Sequence, residues 1–175
     1  MVQVTAESHR TGGKDVYSYK TIKVNCIDNV KPVVAGFKDK GAYNKAVKIT
    51  FRDNNGGSGI KSATLNGKKI KNGTVVNKEG KYTLKVADNA GNVKAATFII
   101  DKTKPIVTGV KNKQTYKKAV KIVLKDNPGG SSLWKATLNG KYIKKVTTVS
   151  KPGKYTLKVK DKAGNLTTVT FAIKK

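Results

Sequence analysis

Side chains capable of covalent or acid–base chemistry are scarce in this sequence. His9 is its one histidine and Cys26 its one cysteine. Nucleophilic catalysis by such a pair needs a third group to orient the base, and neither residue has a reactive counterpart elsewhere in the chain. His9 therefore reads as a loop residue and Cys26 as a small apolar one. A single cysteine also excludes an intrachain disulfide and a cysteine-built metal site. Acids number 10, and residues 102–175 hold only Asp126 and Asp161. Glycoside hydrolysis needs two carboxyls facing one cleft, which so thin a supply does not suggest. The chain is expected to be non-catalytic and to use no cofactor.

The remaining oxygen ligands sit beside turn-forming residues: Asp28, Asp53, Asp88 and Asp101. Calcium takes about six to eight oxygens, usually several of them carboxylates. Lys102 and Lys104 crowd Asp101 and would repel a cation. The expected role of these acids is to cap turns through their own downstream amides, with no metal bound. The loop Asn54-Asn55-Gly56-Gly57-Ser58-Gly59 lacks the following Lys-Ser/Thr and helix of a phosphate loop. Trp134, the one tryptophan, replaces Lys61 of the preceding repeat and is in phase with Ala136 and Leu138. It is expected to cap the open end of a core; the functional alternative is an exposed ring that stacks on a sugar or a partner.

Charge points further. There are 37 Lys+Arg against 10 Asp+Glu, a formal net charge of +27. Residues 102–175 alone hold 19 lysines and two acids. Long-range attraction of this kind selects polyanions: an anionic cell-wall polymer such as teichoic acid, an anionic glycan, nucleic acid or an anionic membrane surface. Candidate contacts are Lys121, Lys125, Lys158 and Lys160, together with Trp134. Arginine is limited to Arg10 and Arg52, so the bidentate fork that reads bases is nearly missing. Tyr82 and Tyr155 are expected to face inward, leaving no stacking platform, and specific nucleic-acid binding is not expected. The plainer reading of the lysines is that they solvate outer strand faces and discourage edge-to-edge pairing.

These residues hang on a repeat. Shifted by 73 positions the chain falls on itself without a gap, and 43 of the 72 pairs from Lys31/Lys104 to Lys102/Lys175 are identical. That period is too long for a solenoid and suits a small domain in tandem. Within each repeat apolar residues alternate: Val47, Ile49, Phe51; Tyr82, Leu84, Val86; Ala96, Phe98, Ile100. Period 2 predicts strands with one buried and one lysine-rich face. Asn66-Gly67 and Asn139-Gly140 predict two-residue hairpins with both residues at positive φ. About seven strands per repeat predict tandem immunoglobulin-like β-sandwiches, all-β, spanning 29–101 and 102–175. Residues 1–28 read as a partial domain, a terminal β-hairpin, with His9–Lys14 as its turn and Tyr17–Ile27 as a long strand. Residues 1–5 lack the apolar run of a leader, and no apolar stretch is long enough to cross a bilayer. If the parent protein is exported, the chain reads as an internal piece of it.

Ile100-Asp101-Lys102-Thr103-Lys104-Pro105, with Asp88-Asn89-Ala90-Gly91-Asn92 and Asp161-Lys162-Ala163-Gly164-Asn165, resembles the Ig-like repeat domains of bacterial surface proteins, especially Gram-positive ones. The first repeat departs slightly, with Asp28-Asn29-Val30-Lys31-Pro32. The resemblance implies an extracellular stalk, spacer or adhesion module whose partners are neighbouring domains of the same protein. It places the junction at Asp28, Pro32, Asp101, Thr103 and Pro105, where some such repeats hold calcium. The Lys–Asn isopeptide bond of some such domains needs a buried acid, and here every shared acid reads as a turn residue. Two alternatives stand beside the spacer: a polyanion-binding module working through residues 102–175, and a subunit of a strand-pairing filament.

Overall fold

A computed structural model describes residues 6–19 and 27–174. The readings placed on Cys26 and on most of Tyr17–Ile27 lie outside the described residues. A short hairpin comes first, β1 (Ala6–Thr11) and β2 (Lys14–Tyr19), paired antiparallel with Thr11 opposite Lys14. His9–Thr11 is strand, so the predicted polar turn shrinks to Gly12-Gly13. Both of these glycines take positive φ, as a two-residue hairpin loop with the twist of its strands requires.

The first repeat then builds β3 (Val33–Ala35), β4 (Gly41–Tyr43), β5 (Val47–Lys48), β6 (Thr50–Arg52), β7 (Ile60–Leu65), β8 (Lys68–Lys69), β9 (Val75–Val76), β10 (Gly80–Asp88) and β11 (Val93–Ile100). The second builds β12 (Ile106–Thr108), β13 (Gln114–Tyr116), β14 (Val120–Lys125), β15 (Leu133–Leu138), β16 (Lys141–Tyr142), β17 (Val146–Val149), β18 (Gly153–Asp161) and β19 (Leu166–Ile173). Each repeat has a five-stranded sheet, β4-β11-β10-β7-β8 or β13-β19-β18-β15-β16. The opposing sheet is β12-β14-β17 in the second repeat and the pairs β3-β6 and β5-β9 in the first. β5 and β6 are one strand interrupted at Ile49, so both repeats have eight strands rather than about seven. The chain is an all-β tandem of immunoglobulin-like sandwiches.

One feature of the topology was invisible in the alternation. The first strand of each repeat is split between sheets: β12 pairs with β14, and then β13 runs parallel to β19. Gly109 makes that crossing possible. Its φ is +88°, and a Cβ there would sit 1.8 Å from the Lys121 carbonyl oxygen. The Asn-Gly turns form as predicted, with Asn139 at φ 48° and Gly140 at 82°. The Asn139 amide also ties the turn to β18, donating to the Lys154 carbonyl and accepting from the Thr156 N–H.

The alternating residues close two cores that share no member. Val47, Ile49, Phe51, Leu84, Val86, Phe98 and Ile100 lead the first; Val120, Ile122, Leu124, Leu157, Val159, Phe171 and Ile173 lead the second. Tyr82 stacks on Phe98 and Tyr155 on Phe171, each at 5.1 Å between centroids. Each tyrosine keeps its hydroxyl at the rim, bonded to the Lys78 or the Lys151 carbonyl. Burying each such side chain contributes about 1.5–3 kcal/mol.

Candidate functional site

The strand ends that carry the acids converge at one pole of each sandwich. Asp88 and Asp161 close the long strands β10 and β18, just before the Ala-Gly-Asn turns. Asp53 and Asp126 follow β6 and β14. Asp28 and Asp101 stand ahead of the prolines, and Pro32 and Pro105 are themselves buried. Folding brings Asp28, Asp53 and Asp88 together, one oxygen from each within 4.8 Å of the others, and does the same with Asp101, Asp126 and Asp161. Asp101 and Asp161 are buried, at 1% and 0% exposure. The four acids singled out in the sequence are therefore not four separate turn caps. Asp126 and Asp161, which complete the second group, stand one repeat length after Asp53 and Asp88.

They also cap turns, as expected. Asp161 accepts from the Gly164 and Asn165 N–H groups and from the Asn165 side-chain amide, whose nitrogen also donates to the Asp101 carbonyl. Asp101 accepts from Ser131 N–H at 2.7 Å and Thr103 N–H at 3.2 Å. Asp28 accepts from Ser58 N–H, the Ser58 hydroxyl and Val30 N–H, and these bonds, the Ser58 amide foremost, hold its carboxyl below the usual range. Asp126 behaves in the opposite way. Burial pushes its carboxyl up, the charges of Asp101 and Asp161 add to that, and the Ser132 N–H pulls against it. Asp126 Oδ1 and Asn127 Oδ1 are buried with no hydrogen-bond partner. Three carboxylates and an amide oxygen are the donor types a hard divalent cation takes.

The peptide between the repeats is held from both sides. Asp101 and Asn165 tie its start to the second repeat. Glu79, on the loop before β10, accepts from Lys102 N–H and from the Thr103 hydroxyl at 3.0 Å. The Lys102 ammonium reaches Asn77 Oδ1 at 2.6 Å, so that charge points back onto the first repeat. Glu79 was not singled out in the sequence, because its repeat counterpart is Pro152 and the duplication gives no hint of it.

Trp134 does not cap the core. It is 64% exposed. The phase argument fails because β15 carries a bulge against β18 at this residue: Leu133 faces Asp161, Lys135 faces Lys160, and Trp134 is the extra residue. The Lys160 ammonium lies 5.4 Å from the Trp134 ring centroid. Both line an open depression of about 410 Å³ with Asp161, Lys162 and Gly164. A second pair was missed in the sequence: Tyr142, 74% exposed, with the Lys135 ammonium 4.6 Å from its ring. The other lysines named from the sequence do not gather in one place. Lys121 and Lys125 are exposed on β14 of the three-stranded sheet, whereas Lys158 and Lys160 are on β18 of the five-stranded one.

No family profile matches this sequence, and no curated protein matches it. Solved structures give distant likenesses. The Escherichia coli adhesin FdeC is 14% identical with a TM-score of 0.37; the match covers 94% of this chain and 71% of that one. A Bacteroides ovatus mixed-linkage glucan utilization locus protein, SGBP-B, is 15% identical with a TM-score of 0.28. That match covers 99% of this chain, which spans about half (54%) of the other's length. The eight N-terminal Ig domains of Down Syndrome Cell Adhesion Molecule are 15% identical with a TM-score of 0.30, covering 95% of this chain and 26% of that one.

Proposed function

We propose that this chain is a non-catalytic spacer segment of an extracellular bacterial surface protein, two sandwiches in series across a stiff junction. The observation that carries the reading is the double grip on residues 101–103. Glu79 of the first repeat and Ser131 with Asn165 of the second hold consecutive residues of one short peptide. A hinge would leave those backbone groups to water; here they are committed to both neighbours. Pro105, buried and fixed in φ, removes a further degree of freedom.

Small-angle X-ray scattering of the whole chain and of Glu79→Ala tests it. The wild type is expected to give a narrow distribution of end-to-end lengths and Glu79→Ala a broader one with unchanged circular dichroism. A wild-type distribution already as broad as that of two freely jointed units would end the stiff-spacer reading.

A further inference from the structure

The two repeats are identical at 43 of 72 positions, yet one patch on the outer face of the second repeat's five-stranded sheet differs from the first throughout. Trp134 stands where the first repeat has Lys61, Lys135 where it has Ser62, Tyr142 where it has Lys69, and Lys160 where it has Ala87. These four residues are the members of the two ammonium–ring pairs, Lys160 with Trp134 and Lys135 with Tyr142. The ladder brings them together. Lys135 faces Lys160 across β15 and β18, and Tyr142 faces Thr137, two residues along β15 from Lys135. The bulge turns consecutive residues Trp134 and Lys135 both outward, a device that re-aims side chains on sheets. Lysine at the first and third of these positions satisfies solubility in the first repeat. Two large exposed rings in their place cost solubility without adding to the core.

We propose that this patch is a binding surface for an anionic polysaccharide whose negative charge is a carboxylate on the sugar ring, a polyuronate. The chemistry selects that class in two steps. Exposed Trp and Tyr rings offer flat apolar faces, which suit the C–H face of a pyranose, while their polar edges stay wet. An ammonium held over one face of each ring supplies the counter-charge at short range, and the opposite face is the one a sugar would take. In a uronate the carboxylate is bonded directly to the pyranose ring. A sugar seated on the indole therefore carries its charge within reach of a cation 5.4 Å from the ring centroid. A nucleotide separates base from phosphate by a ribose, and its phosphate favours an arginine fork; the patch has no arginine. The surrounding repeat, with 19 lysines and two acids, draws such a polymer in. This inference does not depend on the stiffness of the junction.

The test uses the whole chain, affinity electrophoresis through polygalacturonate, and three control gels containing dextran, polyphosphate or single-stranded DNA. The key variant is Trp134→Lys with Tyr142→Lys, which restores the first repeat's residues and so keeps a surface that the fold already tolerates. It also adds two positive charges. Stacking predicts that polygalacturonate retards the wild type and that the double variant loses at least about tenfold in affinity, with dextran inert. Attraction by charge alone predicts that the double variant binds as well or better, and that result overturns the proposal. Polyphosphate or single-stranded DNA binding as tightly as polygalacturonate at equal ionic strength overturns it too.

Discussion

Replacing Gly109 with alanine separates two costs that glycine hides. Gly109 and Gly140 have similar backbones, φ +88° and +82°. An alanine Cβ meets nothing within 4 Å at Gly140 but sits 1.8 Å from the Lys121 carbonyl oxygen at Gly109. Gly140→Ala therefore measures left-handed strain alone, about 1–2 kcal/mol. Gly109→Ala adds a clash with backbone that cannot retreat. β14 is clamped between β12 and β17, and Ile122, the residue after Lys121, is fully buried. Overpacking of this kind costs about 1–3 kcal/mol, and a contact with strand backbone belongs at the upper end, so the total is about 4–5 kcal/mol. For a repeat of this size each kcal/mol shifts the melting temperature by about 4–8 °C. Gly140→Ala should thus lower it by roughly 10 °C and Gly109→Ala by roughly 25 °C. Trp134 is the only tryptophan and reports on the second repeat alone. Its emission, followed through urea and heat, gives both numbers. Equal losses within about 0.5 kcal/mol would refute the claim that close backbone approach keeps position 109 a glycine.

Asp39 accepts from Thr97 N–H and the Thr97 hydroxyl, and chiefly the amide bond holds its carboxyl below the usual range. A depressed native value contributes stability that is present above the unfolded carboxylate range and lost as pH falls through the native one. Asn112 makes the same two bonds in the second repeat, so Asp39→Asn should leave the fold intact and flatten the acid limb of the first repeat's melting curve. An unchanged limb would show that Asp39 is not its source. Asn165→Ala strips the donor shared by the Asp101 carbonyl and the Asp161 carboxylate in a buried site. It should cost about 2–4 kcal/mol, and trypsin should cut faster after Lys102; a loss below about 0.5 kcal/mol would mean water replaces the amide. Phe171→Leu removes the ring under Tyr155 and should cost about 1–3 kcal/mol in denaturant melts.

Local chemistry carried most of the fold into view. Ile49, Phe51 and Leu84 are buried because they alternate with polar neighbours, and Asn139-Gly140 turns because both residues tolerate positive φ. What stayed hidden depends on places where regularity breaks or distant loops meet. Asp101, Asp126 and Asp161 are each legible as turn residues, but their convergence needs the sandwich topology to fold 60 residues of chain onto one pole. Trp134 was misplaced for the reverse reason: its phase with Ala136 and Leu138 holds only if β15 is regular, and the bulge inserts one residue at that point. The first repeat has the same irregularity, with Ile60 opposite Asp88 and Ser62 opposite Ala87, and Lys61 there raises no suspicion because an exposed lysine is unremarkable. In a duplicated domain the shared residues therefore report on folding. Departures that cluster in space, such as Trp134, Lys135, Tyr142 and Lys160, are where selection for something else becomes readable.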